Sequence, residues 1–290
     1  MNETSEIPLR VAPRRTLAEE WALVLVAQGL SPSIRPTDEG FVLGVPSEEV
    51  EQAIGALYAY ESENPAEPQE GEEVAGSAHL YAALGVSVAL VVFFFITGAR
   101  NPTVRWFERG SADAERILLG ELWRTVTSLT LHADLGHVMA NAIAGAIFLS
   151  AVCRVLGPGL GSTLVLLAGA GGNFANALLH GSLHVSVGAS TSVFGAVGLL
   201  GGLGVAQRRR RGARGRRAWM PIAAGFALLA MLGMGERVDL SAHLFGFLVG
   251  GILGILAALV VPRPPGPHLQ WTFGGAALGM LIYSWALALG

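Results

Sequence analysis

Charged residues are scarce in this sequence. Only 14% of its 290 residues are Asp, Glu, Lys or Arg, whereas 52% are hydrophobic. This composition excludes an ordinary soluble globular protein and predicts a polytopic membrane protein. Cysteine is nearly absent as well. The single Cys153 lies in an apolar segment, which excludes an internal disulfide and indicates a structural thiol rather than a nucleophile.

The N-terminal region lacks the features of a secretory signal. Its apolar run from Trp21 to Leu30 is short, follows two glutamates instead of basic residues and precedes no small-residue cleavage site. We therefore expect this region to stay on the cytoplasmic side. Fifteen acidic residues but only four arginines precede residue 76, and this acidic balance argues against nucleic acid as a partner.

The first sixty residues predict a small soluble α+β domain, residues 1–60, of the order α-β-β-α. Its elements are a helix over 16–28, strands over 33–35 and 41–45 around an Asp-Glu-Gly turn, and a helix over 47–60. No catalytic pattern occurs in it, so we interpret it as a regulatory or docking domain with a cytoplasmic partner. Residues 61–76 are rich in Glu, Pro and Gly, which predicts an acidic flexible linker.

Seven apolar runs follow, each long enough to cross about 30 Å of hydrocarbon. They cover residues 79–99, 137–156, 160–179, 188–207, 219–235, 241–261 and 269–289. We expect the first six to form one core, residues 77–261. Residues 262–290 would then supply a seventh, C-terminal transmembrane helix.

The loops predict the orientation of these spans. Seven arginines occur in the ten residues 208–217, and the positive-inside rule places this loop in the cytoplasm. Nucleic-acid binding is the weaker alternative, because a short loop between two spans is the usual place for such charge. Counting crossings then puts the N-terminus in the cytoplasm, the C-terminus on the outer side, and Ser190 and His243 towards the outer face.

One group of arginines does not fit this topology directly. The loop between the first two spans would lie outside, yet it holds Arg100, Arg105, Arg109, Arg116 and Arg124. We expect this loop to lie in the membrane interface, with its apolar side chains buried and its arginines snorkelling towards water.

Polar side chains inside spans are rare, and each is a candidate for function. The second span contains His137 and Asn141 on one helix face, with His132 just before it, while the fourth contains Ser190 and the sixth His243. Each also has a plainer interpretation: the serine can bond to its own helix, and the histidines and asparagine can link helices. A metal site at His132 and His137 is disfavoured, because their five-residue spacing turns them apart and no Cys or Glu lies at ligand spacing.

Glycines favour the functional interpretation. Small-residue faces let helices approach closely, and two such faces consist of Gly188, Gly195 and Gly198, and of Gly246 and Gly250. Packing through these faces would bring the Ser190 hydroxyl within reach of the His243 imidazole, as a nucleophile and its base. His137 and Asn141, with the free backbone N–H of Ser190, would then supply donors to a developing oxyanion.

The sequence resembles the rhomboid family of intramembrane serine proteases. The matching motifs are Glu121-Leu122-Trp123-Arg124, the His-x4-His-x3-Asn pattern from His132 to Asn141, Gly-x-Ser at 188–190 and Ala-His-x2-Gly-x3-Gly at 242–250. The resemblance implies an all-α membrane core of six helices that cleaves transmembrane protein substrates within the lipid bilayer. It implies a Ser-His dyad with Ser190 as nucleophile and His243 as base, and neither a metal nor another cofactor.

The resemblance also assigns supporting residues. Trp123 and Arg124 would fix the interfacial loop, and Phe194 would pack its ring on the catalytic histidine. Two positions depart from the family pattern: Thr191 stands where glycine is common, and Asp239 stands where a small residue is common. The seventh span resembles the six-plus-one arrangement of part of the family.

The sequence leaves two other classes of function as alternatives. A catalytically weak rhomboid-like protein could bind membrane clients without cleaving them, although binding alone requires neither Ser190 nor His243. A transporter could use intramembrane histidines as a proton relay, but the spans show no clear inverted repeat and no intramembrane carboxylate.

Overall fold

The computed structural model describes most of the chain, as two compact units divided at residue 71. The described residues are 6–37, 40–64, 72–182, 184–210, 216–232, 239–261 and 263–290.

The N-terminal unit combines a three-stranded antiparallel sheet with two helices. In chain order its elements are β1 (Glu6–Ala12), α1 (Arg15–Ala27), β2 (Ser33–Thr37), β3 (Gly40–Pro46) and α2 (Val50–Glu63), with a short 3-10 helix at Ser47–Glu49. The predicted helices and the pairing of β2 with β3 are confirmed, while residues 38–39 of the predicted turn lie outside the described residues. Apolar side chains from both helices and β3 form its core, with Leu25, Leu43 and Leu57 fully buried.

Strand β1 was not predicted. It forms the sheet edge beside β3, giving the order β1-β3-β2. Its sequence contains Pro8, and the register with β3 shifts between Pro8 and Arg10. Because proline has no N–H to donate, it occurs in strands mainly at edges and irregularities, and it hides the alternating pattern by which strands are recognised.

The predicted linker is shorter in the structure. Helix α2 continues to Glu63, and the next helix begins at Glu72, so both described ends of the stretch 61–76 are helical. Residues 65–71 lie outside the described residues. The domain limits inferred from the sequence stay predictions.

The second unit contains the long apolar helices. In chain order its elements are α3 (Glu72–Thr97), α4 (Arg105–Gly110), β4 (Ala112–Asp113), α5 (Ala114–Leu118), α6 (Arg124–Thr127), a 3-10 helix at Ser128–Thr130, α7 (Leu135–Leu156), α8 (Pro158–His180), β5 (Val185–Ser186), α9 (Ser190–Arg210), α10 (Arg216–Leu232), α11 (Leu240–Val260) and α12 (Pro267–Leu289). The short elements between α3 and α7 form one loop region. It is joined by the β4–β5 pairing to the chain just before α9.

Six helices in the described part of the chain are long and apolar enough to cross a membrane. They are Ser77–Thr97, Leu135–Leu156, Pro158–His180, Ser190–Arg210, Leu240–Val260 and Pro267–Leu289. Each agrees with a predicted span within three residues at either end. The remaining predicted span, 219–235, corresponds to α10, in which Ala218–Ala227 is the apolar part whose side chains are described. Residues 233–235 lie outside the described residues. The protein is therefore a multi-pass, mainly helical membrane protein with a small soluble N-terminal domain.

Helices α9 and α11 make the most extensive contact between helices, and glycine permits it. The Cα of Gly250 faces the carbonyl oxygen of Gly195, and Gly198 faces the backbone of Phe247. Farther along, Gly254 faces the backbone of Leu199. A Cβ at any of these three glycines would overlap backbone atoms of the opposite helix, so the predicted close approach is confirmed for Gly195, Gly198 and Gly250. Gly188 was predicted on the same face, but it precedes α9 and lies against His137 of α7.

Replacing Gly250 by alanine is expected to destabilise the protein by about 1–3 kcal/mol, because the added methyl group must push two helix backbones apart. The matched control is Gly275→Ala in α12, where nothing lies within 4 Å of the added Cβ. Thermal unfolding in detergent, followed by circular dichroism, compares the two variants. Equal melting temperatures for Gly250→Ala and the wild type would contradict this packing.

Helix α12 is attached near both of its ends. The side-chain Oε1 of Gln270 accepts hydrogen bonds from the N–H groups of Gly159 (2.8 Å) and Leu160 (3.0 Å), which are unpaired donors in the first turn of α8. Fifteen residues later, the indole N–H of Trp285 donates to Thr130 Oγ1 at 3.2 Å. The seventh helix therefore contacts both the α7–α8 turn and the loop region that follows α3.

Candidate active site

Ser190 is the first residue of α9, and Gly188 determines how the chain reaches it. Gly188 has φ 129°, a conformation that other residues rarely adopt. A Cβ there would also lie 2.6 Å from Cε1 and 2.7 Å from Nε2 of His137, and 3.6 Å from the Ser190 Oγ. Glycine is thus required twice, for the backbone conformation and for the approach of the His137 ring. The half-buried Ser190 hydroxyl and the His137 ring consequently border the same small space.

His132 binds the backbone of the turn that precedes Ser190. Its buried ring accepts a hydrogen bond at Nε2 from the N–H of Ala189, at 3.3 Å, and packs edge-on against the His137 ring at 5.2 Å. Burial, reinforced by the nearby His137, lowers the pKa of His132 to about 4, which keeps the ring neutral and able to accept. The position is that of a supporting residue between the serine turn and α7.

His137 and Asn141 lie one turn apart on α7. The N–H of Ala133 points at His137 Nδ1 at 3.4 Å, and a neutral ring that accepts at Nδ1 carries its hydrogen on Nε2, the nitrogen beside Gly188. Asn141 is buried, and its Nδ2 has no hydrogen-bond partner among the described residues. One helix face therefore presents two side-chain donors to which the described residues supply no acceptor.

His243 lies in the first turn of α11 and is buried. Phe194, one turn after Ser190, packs its ring on the imidazole with centroids 4.5 Å apart and an interplanar angle of 32°. Gly246, one turn after His243, lies against Thr191. These contacts bring the two predicted catalytic residues to the same end of the α9–α11 pair. Among the described residues, no hydrogen bond joins Ser190 to His243. Catalytic hydrogen bonds are often long or poorly aligned in enzymes without bound substrate.

The two residues after Ser190 point elsewhere. The Thr191 methyl group fills space left by Gly172 of α8 and Gly246 of α11, so the side chain that replaces the usual glycine belongs to helix packing. The Ser192 hydroxyl lies against Gly169 of α8 and is buried with no partner among the described residues. Of the neighbouring hydroxyls, Ser190 is therefore the one placed beside the His137 ring.

Trp123 and Arg124 lie in the loop region before α7. The guanidinium of Arg124, only 1% exposed, donates from Nε to Glu121 at 2.6 Å and from one terminal nitrogen to the carbonyls of Glu108 and Ser111, both at 3.0 Å. The expectation that Arg124 snorkels towards water is wrong, because these loop groups bind its charge inside the protein. Leu119 of the same loop remains largely exposed.

Sequence reasoning missed the partners of Asp239. This residue caps α11, with Oδ1 accepting from the N–H of Ala242 at 3.0 Å and from the hydroxyl of Ser241 at 2.8 Å. Its other oxygen accepts from His184 at 2.7 Å and from Asn176 at 2.9 Å. Burial would raise the pKa of Asp239, but the hydrogen bonds from Ala242, His184 and Ser241 outweigh it and lower the pKa below its ordinary value. An acidic residue directly before an apolar helix was the available signal, since it is typical of an N-cap.

Known proteins resemble this chain over the region that contains these residues. Residues 119–259 match the rhomboid domain. The chain is 28% identical over 181 residues to YdcA of Bacillus subtilis, covering 61% of this chain and 89% of that one. It is 27% identical over 190 residues to the rhomboid protease GluP of the same organism, covering 63% of this chain and 35% of GluP.

A plant protein is also similar. RHOMBOID-like protein 5 of Arabidopsis thaliana is 29% identical over 189 residues, which covers 60% of this chain and 59% of that protein. The chain thus spans less than two thirds of GluP and of the plant protein. The matched rhomboid domain contains α7, α8, α9, α10 and all of α11 except its last residue, and it includes His137, Asn141, Ser190 and His243. Residues 119–259 are therefore a rhomboid domain, which is characteristic of a family of intramembrane serine proteases.

Proposed function

We propose that this protein cleaves transmembrane-helix substrates by acyl transfer to Ser190, with His243 as the general base. His243 takes the hydroxyl proton while Oγ bonds to the scissile carbonyl carbon. The C–N bond then breaks as the same histidine returns the proton to the leaving amine, and water hydrolyses the acyl-enzyme by the reverse sequence. Nδ1 of His243 has no hydrogen-bond partner in the described structure, so no described carboxylate binds this ring directly, and the Phe194 ring packs against it.

The observation that best supports this proposal is the set of donors near Ser190. The backbone N–H of Ser190, in the first turn of α9, has no intrahelical acceptor. His137 Nε2 and Asn141 Nδ2 also find no acceptor in the part of the chain that is described. Asn141 Nδ2 is a buried donor, and a buried donor that lacks an acceptor costs free energy. An oxyanion formed next to Ser190 would satisfy it together with the two less buried donors. We propose that these three groups form the oxyanion hole.

The proposed topology follows from the arginine-rich loop. The N-terminus lies in the cytoplasm, the C-terminus lies on the outer side, and cleavage occurs near the outer membrane face. Residues 211–215 of that loop lie outside the described residues, so the proposal depends on the charge of the sequence alone. Substrate helices enter sideways past α10, and the N-terminal domain binds a partner in the cytoplasm.

A fluorophosphonate probe tests the nucleophile directly. The purified protein in detergent is incubated with the probe, digested and mapped by mass spectrometry. We expect one modified residue, Ser190, with no labelling of heat-denatured protein. Modification of Ser192 instead, or the absence of labelling in a protein that cleaves a model substrate, would contradict the proposed dyad.

Replacing Asn141 by alanine is expected to slow cleavage by about 10²–10³-fold, because one donor to the oxyanion accounts for about 2.7–4 kcal/mol of the barrier. The effect should fall on kcat, since the donor acts on charge that develops only in the transition state. Met139→Ala, an exposed substitution on the other side of α7, is the control. A drop below about threefold in kcat would exclude Asn141 from the oxyanion hole.

A further inference from the structure

Three segments of the chain meet at the carboxylate of Asp239. Asp239 itself begins α11, Asn176 comes from the last turn of α8, and His184 comes from the segment that leads to α9. We call these three residues the Asp239 cluster. The side chains are largely shielded, with 17% of Asp239 and 27% of His184 exposed. None of the three takes part in the bond-making steps described above.

The hydrogen bonds of the cluster can be assigned atom by atom. Oδ2 of Asp239 accepts from the Nε2–H of His184 at 2.7 Å and from the amide Nδ2 of Asn176 at 2.9 Å. The reversed Asn176 amide would place its oxygen against the carboxylate, so the orientation with the nitrogen towards Asp239 is the favourable one. Oδ1 binds the first turn of α11. The carboxylate of Asp239 thus accepts four hydrogen bonds, two at each oxygen. Because the acceptor is charged, these bonds are stronger than bonds between neutral groups.

His184 is itself held in place by its neighbours. The ring of His180, in the last turn of α8, stacks on it with centroids 4.0 Å apart and an interplanar angle of 17°. The carbonyl of His184 accepts from the N–H of Ala114, next to the short β4–β5 pairing. The ring and the backbone of His184 are thus both fixed. Its hydrogen bond to Asp239 therefore fixes the N-terminal end of α11 relative to the segment before α9.

The cluster lies close in sequence to each proposed catalytic residue. His184 precedes Ser190 by six residues, through β5 and Gly188, and Asp239 precedes His243 by four residues, or one helical turn. A single hydrogen bond therefore joins the segment that carries the nucleophile to the end of the helix that carries the base. In the described structure the glycine faces hold α9 and α11 together farther along, whereas this bond joins the chain just before each helix.

We propose that the Asp239 cluster positions His243 against Ser190, with Asp239 and His184 as positioning residues for the cleavage reaction. This inference rests on the proposed function. Its physical basis is the steep dependence of proton transfer on geometry: a displacement of about 1 Å, caused by a change away from the reacting atoms, can cost about 10²-fold in rate. Loss of the His184 bond releases the N-terminal end of α11 from the serine segment, while the glycine contacts keep the helices associated.

The test compares four variants of the full-length protein: His184→Ala, His184→Gln, Asp239→Asn and the double variant His184→Ala with Asp239→Asn. We expect His184→Ala and Asp239→Asn to lower both the rate of fluorophosphonate labelling and kcat by about tenfold to a hundredfold, with little change in KM. Asparagine is a good N-cap, so Asp239→Asn retains the cap of α11 and a near-normal melting temperature. His184→Gln, which can place an amide N–H near the lost Nε2–H, is expected to restore part of the rate.

The double variant tests the link itself. If the two residues act through one bond, the double variant is no slower than the slower single variant, whereas independent effects would multiply. His268→Gln is the control, because this exposed histidine lies at the opposite end of the bundle, beside the α7–α8 turn.

Two results would overturn the proposal. One is wild-type labelling and kcat in both His184→Ala and Asp239→Asn. The other is a loss of rate that follows the loss of melting temperature in every variant, with no rescue by His184→Gln, since that pattern indicates a purely structural role. Failure of the proposed function is distinguishable, because the wild-type protein would then show no labelling at Ser190.

Discussion

Replacing Ser190 by alanine is expected to lower peptide-bond cleavage by about 10⁴-fold or more. Removing the nucleophile of a serine protease prevents formation of the acyl-enzyme, and no neighbouring hydroxyl can replace it here. The Ser192 hydroxyl faces Gly169 of α8, on another side of α9. The measurement is cleavage of a model transmembrane substrate in proteoliposomes, with products separated by electrophoresis.

Ser192→Ala is the matched control for this experiment. It removes a hydroxyl of the same size, two residues away on the same helix, that is buried and has no partner in the described structure. Its loss should leave cleavage within about twofold of the wild-type rate and should not destabilise the protein, because no hydrogen bond is broken. Loss of cleavage in Ser192→Ala, with Ser190→Ala remaining active, would exchange the roles of the two serines.

Replacing His243 by glutamine is expected to lower cleavage and fluorophosphonate labelling together, by about 10²–10⁴-fold, the contribution typical of a general base. Glutamine keeps a polar side chain of similar length, so the packing of α9 on α11 should survive. The labelling rate isolates the effect on the nucleophile, because the probe is small and does not require the recognition of a substrate helix. Labelling rates should be measured beside melting temperatures, so that unfolding is recognised.

The histidines of α7 provide the comparison for this variant. His137 lies beside Gly188 and is proposed to stabilise the oxyanion, not to accept the serine proton. His137→Gln should therefore reduce labelling less than His243→Gln does. If His243→Gln retained more than about a tenth of the wild-type labelling rate, the base would have to be sought elsewhere, and His137 would be the first candidate.

The transmembrane helices and their closest contact were predictable from the sequence. Apolar runs of about twenty residues identify spans because a helix of that length is needed to cross the hydrocarbon core of the bilayer. The spacing of Gly195, Gly198 and Gly250 identifies a face where helices can meet. The contact of Phe194 with His243 followed from the family resemblance and is confirmed. These features are encoded by residues close together in the sequence or by motifs that recur in a family.

Long-range polar contacts were not predictable in the same way. His184 and Asp239 are 55 residues apart, and Gln270 lies more than a hundred residues from the helix end that it caps. No local periodicity relates such pairs, because their meeting depends on how the helices pack. For Arg124 the sequence led to a wrong expectation, because its charge suggested exposure to water. The carbonyls that bind it come from a loop whose path only the structure reveals.

The attachment of α12 at both ends bears on how the protein fits its bilayer. Gln270 and Trp285 are fifteen residues apart, which corresponds to about 22 Å along a helix, most of the roughly 30 Å thickness of a hydrocarbon core. A rigid rod of this length holds the α7–α8 turn and the loop before α7 at a constant separation. In a thinner or thicker membrane the bundle would therefore tilt or deform the surrounding lipid rather than change its own height.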